Sequence, residues 1–221
     1  MLVGAVLLRL TIAGTYRRYV RVGRGPWLAI AGVAVIVLGL VTLWHAGRRT
    51  YTLDAHGHTE GGAGVRAGWL LLTPIAALLL VAPPTLGSYG IGRGAVVDIR
   101  AGAPVFDALR RGADPVPMTL LEFGQRAFEH DGASFNGVAV QLTGFVARVE
   151  QRAFQLARYQ IACCAADAAP VVIRVVGVYG DAPERDQWVT VTGTFRSGGD
   201  EIPELAATAI VQIAAPEDPY E

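Results

Sequence analysis

Two adjacent cysteines in the last third of the chain are the residues best suited to chemistry. Cys163 and Cys164 occur in the run RYQIACCAADAAP, with Asp167 three residues after the second cysteine. Thiolates are good ligands for zinc and copper(I), and a carboxylate can supply a further donor. We therefore predict a metal site at Cys163, Cys164 and Asp167, with a divalent transition metal such as zinc as the candidate cofactor.

The cysteine pair also allows two other interpretations. Successive residues of a strand face opposite sides of a sheet, so one cysteine can be a small core residue while its neighbour points outward. The pair can instead close a vicinal disulfide, which is a strained ring. Two thiolates are at most half of a tetrahedral zinc site, so a metal also needs Asp167, a histidine or a partner chain.

A second group of potential ligands lies in residues 45–68. This segment holds three of the four histidines and the only two acids before residue 96, Asp54 and Glu60. His56 and His58 are spaced to capture a divalent metal ion with low affinity. The alternative is a polar, glycine-rich loop in which the histidines have no chemical role.

The remaining residue types argue against an enzyme. All nineteen basic residues are arginines, so a Schiff-base lysine and a phosphate-binding P-loop lysine are both excluded. No Ser/His/Asp set, paired-carboxylate arrangement or phosphate-binding glycine loop stands out. We expect a protein that binds rather than one that catalyses.

The amino-terminal part, residues 1–94, has the composition of a membrane region. Hydrophobic residues make up 52% of the whole chain and charged residues only 17%, and the apolar residues are concentrated here. Residues 27–44 form an uncharged run bracketed by tryptophans, which suits a helix that crosses the bilayer. A second span is predicted over 69–89. Residues 1–16 form a third candidate span that is short and contains Arg9.

The arginines near these spans predict an orientation. Arg48, Arg49 and Arg66 lie in the 45–68 loop, whereas six arginines lie in the segments 15–26 and 93–100. Basic residues concentrate on the cytoplasmic side of membrane proteins. We therefore expect a multi-pass protein of the plasma membrane with a cytoplasmic carboxy-terminal domain and an external 45–68 loop.

The rest of the chain predicts a connector and a small all-β domain. Residues 95–135 form the connector, in which Thr119 and Glu122 make a capping box that begins a short helix. Residues 136–221 alternate with a period of two, and Gly144, where the alternation slips, predicts a β-bulge. Five strands fit an OB-like barrel, with an SH3-like barrel or a small sandwich as the alternative. The five predicted strands span 138–149, Phe154–Cys163, Val171–Val178, Trp188–Phe195 and Leu205–Ile213.

The charge distribution excludes a nucleic-acid partner for this β domain. Residues 96–221 contain ten arginines and seventeen acids, whereas residues 1–95 contain nine arginines and two acids. A nucleic-acid site needs a basic surface interleaved with aromatic residues. In the predicted β domain, residues 136–221, the arginines are scattered singly.

The sequence resembles a family of uncharacterised bacterial membrane proteins described as permease subunits, which combine amino-terminal spans with a carboxy-terminal β-rich domain. The matching segments are Trp69–Leu72, Ala82–Gly87, Gly144–Val146, Arg158–Pro170, Trp188–Gly193 and Pro219–Glu221, with the histidine-bearing loop. The resemblance implies a subunit that works beside a multi-span permease and handles metal ions.

These observations predict an accessory subunit of a membrane transport system, possessing no enzymatic activity and related to metal ions. Two or three spans are too few to line a substrate pathway, so the partners are a larger permease and the lipid bilayer. The alternatives are a membrane-anchored thiol or metal sensor and a structural scaffold of a membrane complex.

Overall fold

The computed structural model describes residues 1–48, 86–93, 97–99, 106–178, 180, 182–198 and 202–221. The chain divides into two compact units, one of residues 1–16 and 22–84 and one of residues 17–21 and 85–221. His56, His58 and residues 69–85 of the second predicted span lie outside the described residues. The last residues assigned to that span are 86–89, and two of them belong to a 3-10 turn, Ser88–Gly90.

The described residues of the first unit form two apolar helices, α1 (Leu2–Ile12) and α2 (Gly25–Arg48). The predicted span 27–44 lies inside α2, and its residues Gly25–His45 are long and apolar enough to cross a membrane. Its large side chains are exposed, including Trp27 (69%), Leu38 (65%) and Trp44 (55%). A helix in the core of a soluble domain would bury these side chains.

Helices α1 and α2 pack closely through glycines. A Cβ atom on Gly4 would lie 2.5 Å from the Gly32 carbonyl oxygen, and one on Gly39 would lie 2.7 Å from the Met1 side chain. The start of α1 thus lies beside the later part of α2, so the two helices run antiparallel. Small residues allow this close backbone approach, as they do between helices in membranes. With 11 residues, α1 spans roughly 17 Å, less than a bilayer core.

The second unit is built on a six-stranded sheet, and each of the five predicted strands overlaps one of its strands. A sixth, very short strand was not predicted. The strands are β1 (Val116–Pro117), β2 (Ala139–Glu150), β3 (Ala153–Gln160), β4 (Ala169–Val176), β5 (Trp188–Arg196) and β6 (Glu204–Ile213). Their order is β1-β2-β3-β4-β6-β5, and β2 also pairs with β5.

The sheet is mixed, with four antiparallel and two parallel strand pairs. The hairpin β2–β3 and the pairs β3–β4, β5–β6 and β2–β5 are antiparallel, whereas β4–β6 and β1–β2 are parallel. Strand β4 lies between β3 and β6, and β5 pairs with both β6 and β2.

The prediction of a bulge at Gly144 was wrong in its position. The register of β2 against β3 shifts between Val146 and Arg148, while Gly144 pairs regularly with Val189 of β5. Glycine is needed at 144 for a different reason. A Cβ atom there would lie 2.7 Å from the Ala157 carbonyl oxygen, so the slip in alternation marks a close backbone approach.

Helix α3 (Leu120–Phe128) begins at the predicted capping residue and packs on the sheet. The Thr119 hydroxyl accepts a hydrogen bond from the Glu122 N–H at 3.0 Å. Leu120 and Phe123 of this helix are fully buried in the main core with residues of β2–β6. The ring of Phe123 is tilted by 45° against that of Phe135, with 5.1 Å between the ring centroids.

A second apolar cluster lies where β3 ends. Its buried members are Phe145, Ala147, Ala157, Tyr159, Ile161, Trp188 and Tyr220. The rings of Phe145 and Tyr159 stack with centroids 5.8 Å apart. Ile161, a member of this cluster, is the first residue of the loop that follows β3 and carries both cysteines.

Candidate functional site

The loop between β3 and β4 carries the predicted metal site. Strand β3 was predicted to continue to Cys163 but ends at Gln160, and a 3-10 turn at Ala165–Asp167 precedes β4. Ile161 is buried beneath the loop, whereas Cys163 is exposed and Cys164 is half-buried. The interpretation of one cysteine as a core residue is therefore wrong.

Asp167 explains why the strand stops before the cysteines. Its Oδ1 accepts a hydrogen bond from the Ala162 N–H at 2.9 Å. Its Oδ2 accepts from the Cys163 N–H at 2.8 Å and from the Cys164 N–H at 3.3 Å. These three backbone donors would otherwise seek partners in a sheet, so one carboxylate ends the strand and shapes the loop.

The two sulfur atoms lie side by side over this turn. The Sγ atoms of Cys163 and Cys164 are 3.5 Å apart and both thiols are free. The Asp167 N–H donates to the Cys164 sulfur, which completes a reciprocal cap of the 3-10 turn. One ligand atom from each of Cys163, Cys164 and Asp167 lies within 4.8 Å of the others.

Hydrogen bonding determines the protonation of the Cys163 thiol and the Asp167 carboxylate. The hydrogen bond between its thiol and the Asp167 carboxylate is the main cause that raises the pKa of Cys163 to about 11, and the bond with Cys164 adds to it. The same bond, followed by the backbone donor of Cys163, lowers the pKa of Asp167 to about 2. At neutral pH the site is a thiol beside an ionised carboxylate, and a metal ion must displace the thiol proton to bind.

The donor set fits a thiophilic metal ion. Two sulfurs with a carboxylate beside them suit a d¹⁰ ion such as Zn²⁺, which binds cysteine sulfur well. The structure brings Cys163, Cys164 and Asp167 together, and metal binding by them stays a prediction. His56 and His58 are outside the described residues.

Residues 17–21, the link between α1 and α2, pair with the cysteine loop. Val20 and Cys164 form an antiparallel bridge. The Arg21 N–H donates to the Cys163 carbonyl at 3.2 Å, and the Ala165 N–H donates to the Tyr19 carbonyl at 2.7 Å. Sequence reasoning missed this segment, which we call the strap, because nothing in its residue types signals that Val20 pairs with a residue 144 positions later in the chain.

The segment 219–221 braces the same loop from the β3 side. Tyr220 bridges Tyr159 in parallel, and the Ile161 N–H donates to the Glu221 carbonyl at 3.3 Å. The Tyr220 hydroxyl donates to the Arg18 carbonyl of the strap at 2.6 Å. Strap, loop and this segment therefore form one hydrogen-bonded assembly around the cysteines.

Glu221 connects this assembly to α3. Its carboxylate accepts from the Leu120 N–H at 3.0 Å and the Leu121 N–H at 3.4 Å, at the positive end of the helix. Burial raises the pKa of Glu221, and these donors together with Arg158 oppose that rise. Arg158 lies 3.8 Å from the carboxylate.

A separate cleft of about 330 Å³ is lined by arginines and one acid. Arg152, Arg174 and Arg196 border it with Glu204. Arg174 contacts Glu150 at 2.9 Å and Glu204 at 3.2 Å, and Arg196 contacts Glu204 at 3.8 Å. Arg174 and Arg196 are thus paired with acids of the same domain, and the cysteines do not line the cleft.

One comparison with known protein families finds a match to the region that contains the cysteine loop. No curated protein matches the chain. The matched region begins within α3 and includes β2–β6, Cys163, Cys164 and the segment 219–221. Residues 125–221 match the family model described as the DUF1980 C-terminal domain, so this part of the chain is similar to an uncharacterised family.

Proposed function

We propose that this protein is a membrane-anchored accessory subunit of a transport system whose β domain binds a transition metal ion through Cys163 and Cys164. The observation that carries the proposal is the convergence of both sulfurs and the Asp167 carboxylate within 4.8 Å on an exposed loop. Exposed thiols beside a carboxylate suit the capture of zinc.

The anchor in this proposal is α2, helped by further apolar segments. Its 21 residues Gly25–His45 have the length and composition of a span, and their exposed side chains suit contact with lipid. Two or three spans cannot line a pathway by themselves. We therefore propose a multi-span permease as the partner and a plasma-membrane location with the β domain in the cytoplasm.

The β domain in this proposal is an OB-like barrel. Strand β2 pairs with both β3 and β5, so the pairings β2-β3-β4-β6-β5 return to β2. A five-stranded Greek-key barrel has such a cycle. The net negative charge of residues 96–221 disfavours the nucleic acids that many such barrels bind.

The histidine-bearing loop has a separate place in the proposal. The arginine distribution puts His56 and His58 on the external side, opposite the cysteines. They would collect ions outside the cell and would not share one ion with Cys163 and Cys164 of the same chain.

Uptake of zinc by cells that carry the Cys163→Ser/Cys164→Ser variant tests the transport role. We expect zinc uptake to fall while co-purification of the permease stays at the wild-type level. An Ala166→Ser variant, which alters an exposed residue of the same loop, is the control and should transport normally. Wild-type uptake in the double variant would contradict the proposal.

A metal or thiol sensor is the second candidate, and the strap favours it. The pairing of Val20 with Cys164 links the site to the segment between α1 and α2. Ligation at the cysteines can therefore alter the backbone of a juxtamembrane segment. Unchanged zinc uptake with altered transcription in the double variant would support the sensor over the transport subunit.

A further inference from the structure

We infer that Cys163 and Cys164 form an open two-thiolate metal site, positioned but not ligated by Asp167, whose remaining coordination positions are filled by soft donors of a partner protein. The site would then pass its ion by ligand exchange with thiolate or imidazole groups of that partner. This inference rests on the proposed metal-binding function and adds to it the ligand set and the chemistry of the partner.

The separation of the sulfurs indicates how they would hold the ion. With zinc–sulfur bonds of about 2.3 Å, two ligands of a tetrahedral ion lie about 3.8 Å apart and two ligands of a linear ion about 4.6 Å apart. The Sγ atoms are 3.5 Å apart. The pair therefore matches one edge of a tetrahedron and leaves two positions to be filled.

Asp167 is already committed to the backbone of the loop. Both of its carboxylate oxygens accept N–H groups, from Ala162, Cys163 and Cys164 at 2.8–3.3 Å. Ligation by Asp167 would compete with these bonds, which define the turn that holds the sulfurs together. Groups that orient a metal ligand without touching the metal commonly act in this way, so Asp167 is a positioning residue.

Within the part of the chain that the structure describes, the Cys163 side chain is open to solvent. Cys163 is exposed and Cys164 is half-buried, whereas the loop backbone is held by the strap and by Glu221. Among the described residues, no further histidine, cysteine or acid joins this group of three. Sites with four protein ligands retain their metal, and sites with open positions admit outside ligands.

Cobalt(II) bound to the full-length protein in detergent tests this arrangement. Cobalt is a spectroscopic substitute for zinc, and its thiolate-to-metal absorption per bound ion reports the number of sulfur ligands. We expect two sulfurs in the wild type. Saturating glutathione, used as an external thiol, adds one or two sulfur ligands to a four-coordinate shell. The absorption per bound cobalt should therefore rise to between about 1.5 and 2 times its starting value.

The Asp167→Asn variant separates positioning from ligation. We expect the absorption spectrum per bound cobalt to stay the same while affinity falls about 10- to 100-fold, as for other groups that orient ligands. Asp114→Asn changes an exposed carboxylate outside the loop and should leave both properties unchanged. A shifted spectrum or complete loss of binding in Asp167→Asn would overturn the positioning role.

Failure of this inference differs from failure of the proposed function. Cobalt binding that is unaffected by Cys163→Ser/Cys164→Ser would overturn both. Thiolate-dependent binding that does not respond to glutathione would overturn only the open site. Loss of a cobalt ligand in a His56→Ala/His58→Ala variant would do the same, because the chain would then complete its own site.

Discussion

At the scale of single residues, Asp167 determines the chemistry of the cysteine pair. Its carboxylate ends strand β3, orients both cysteine backbones and accepts a hydrogen bond from the Cys163 thiol. The presence of three donor residues was predictable from their spacing. The role of Asp167 was not, because the sequence shows that a carboxylate is nearby but not which backbone groups it meets.

The pKa of Cys163 leads to a prediction about its reactivity. The thiolate is the nucleophile, and at pH 8 a thiol with a pKa of about 11 is almost entirely protonated. Asp167→Asn removes the main cause of the raised pKa, so alkylation of Cys163 by iodoacetamide should accelerate. The thiolate of a thiol with a lower pKa is a weaker nucleophile, so the alkylation rate should increase by no more than about tenfold.

The measurement is the rate of Cys163 modification from pH 7 to 11, followed by mass spectrometry of the peptide. In the wild type the rate should keep rising to the top of this range, whereas in Asp167→Asn it should level off at a lower pH. Asp114→Asn should follow the wild-type profile. Identical profiles for Asp167→Asn and the wild type would show that the carboxylate does not hold the thiol proton.

At the scale of elements, the strap holds the cysteine loop in place. Ala165→Pro removes the N–H that donates to the Tyr19 carbonyl at 2.7 Å. Proline suits the first position of a helical turn, and the extended backbone of Cys164 suits the residue before proline. Loss of one hydrogen bond, worth about 1 kcal/mol, should make labelling of Cys164 by maleimide about fivefold faster.

Ala165→Ser keeps the N–H and serves as the control for this change. Its labelling rate should equal that of the wild type. Equal rates for Ala165→Pro and Ala165→Ser would mean that the strap does not restrict access to the loop.

The packing of β2 against β3 predicts a stability effect at Gly144. In Gly144→Ala the new methyl group would lie 2.7 Å from the Ala157 carbonyl oxygen and 3.1 Å from the Leu156 side chain. Such overpacking costs about 1–3 kcal/mol. The free energy of unfolding of the β domain, measured by denaturant titration of the detergent-solubilised protein, should fall by this amount.

Gly112→Ala is the matched control, since no atom of a described residue lies within 4 Å of the position of its new methyl group. We expect a change below about 0.5 kcal/mol. A wild-type free energy of unfolding for Gly144→Ala would contradict the close approach of β2 and β3 at this glycine.

At the scale of the whole molecule, the orientation of the β domain is the next property to test. The arginine distribution predicts that Cys163 and Cys164 face the cytoplasm. A membrane-impermeant maleimide should therefore label them only after cells are permeabilised, whereas a permeant maleimide should label them in intact cells. The Cys163→Ser/Cys164→Ser variant, which contains no thiol, gives the background.

Labelling of intact cells by the impermeant reagent would place the cysteines outside and reverse the proposed orientation. The site would then lie on the same side as any ion captured from the medium. The metal chemistry of the loop would be unaffected, because it depends on contacts within the β domain.

The amino-acid sequence by itself determined the features that depend on local pattern. An uncharged apolar run predicts the long helix α2, alternation with a period of two predicts strands β2–β6, and the threonine before Leu120 predicts the start of α3. These features depend on residues that are neighbours in the chain, so propensity and periodicity reveal them. The sequence also shows directly that the two cysteines are adjacent in the chain.

Only the tertiary structure decided what surrounds the thiols. The end of β3 at Gln160, the bulge at Val146/Arg148, the pairing of Val20 with Cys164 and the bracing by Glu221 all depend on segments distant in sequence. Backbone groups carry no residue-specific signal, and their hydrogen bonds are chosen by which segments the fold brings together. The sequence therefore predicts the three possible metal ligands. The fold determines how exposed they are, which of them carry a proton, and which backbone segments hold their loop.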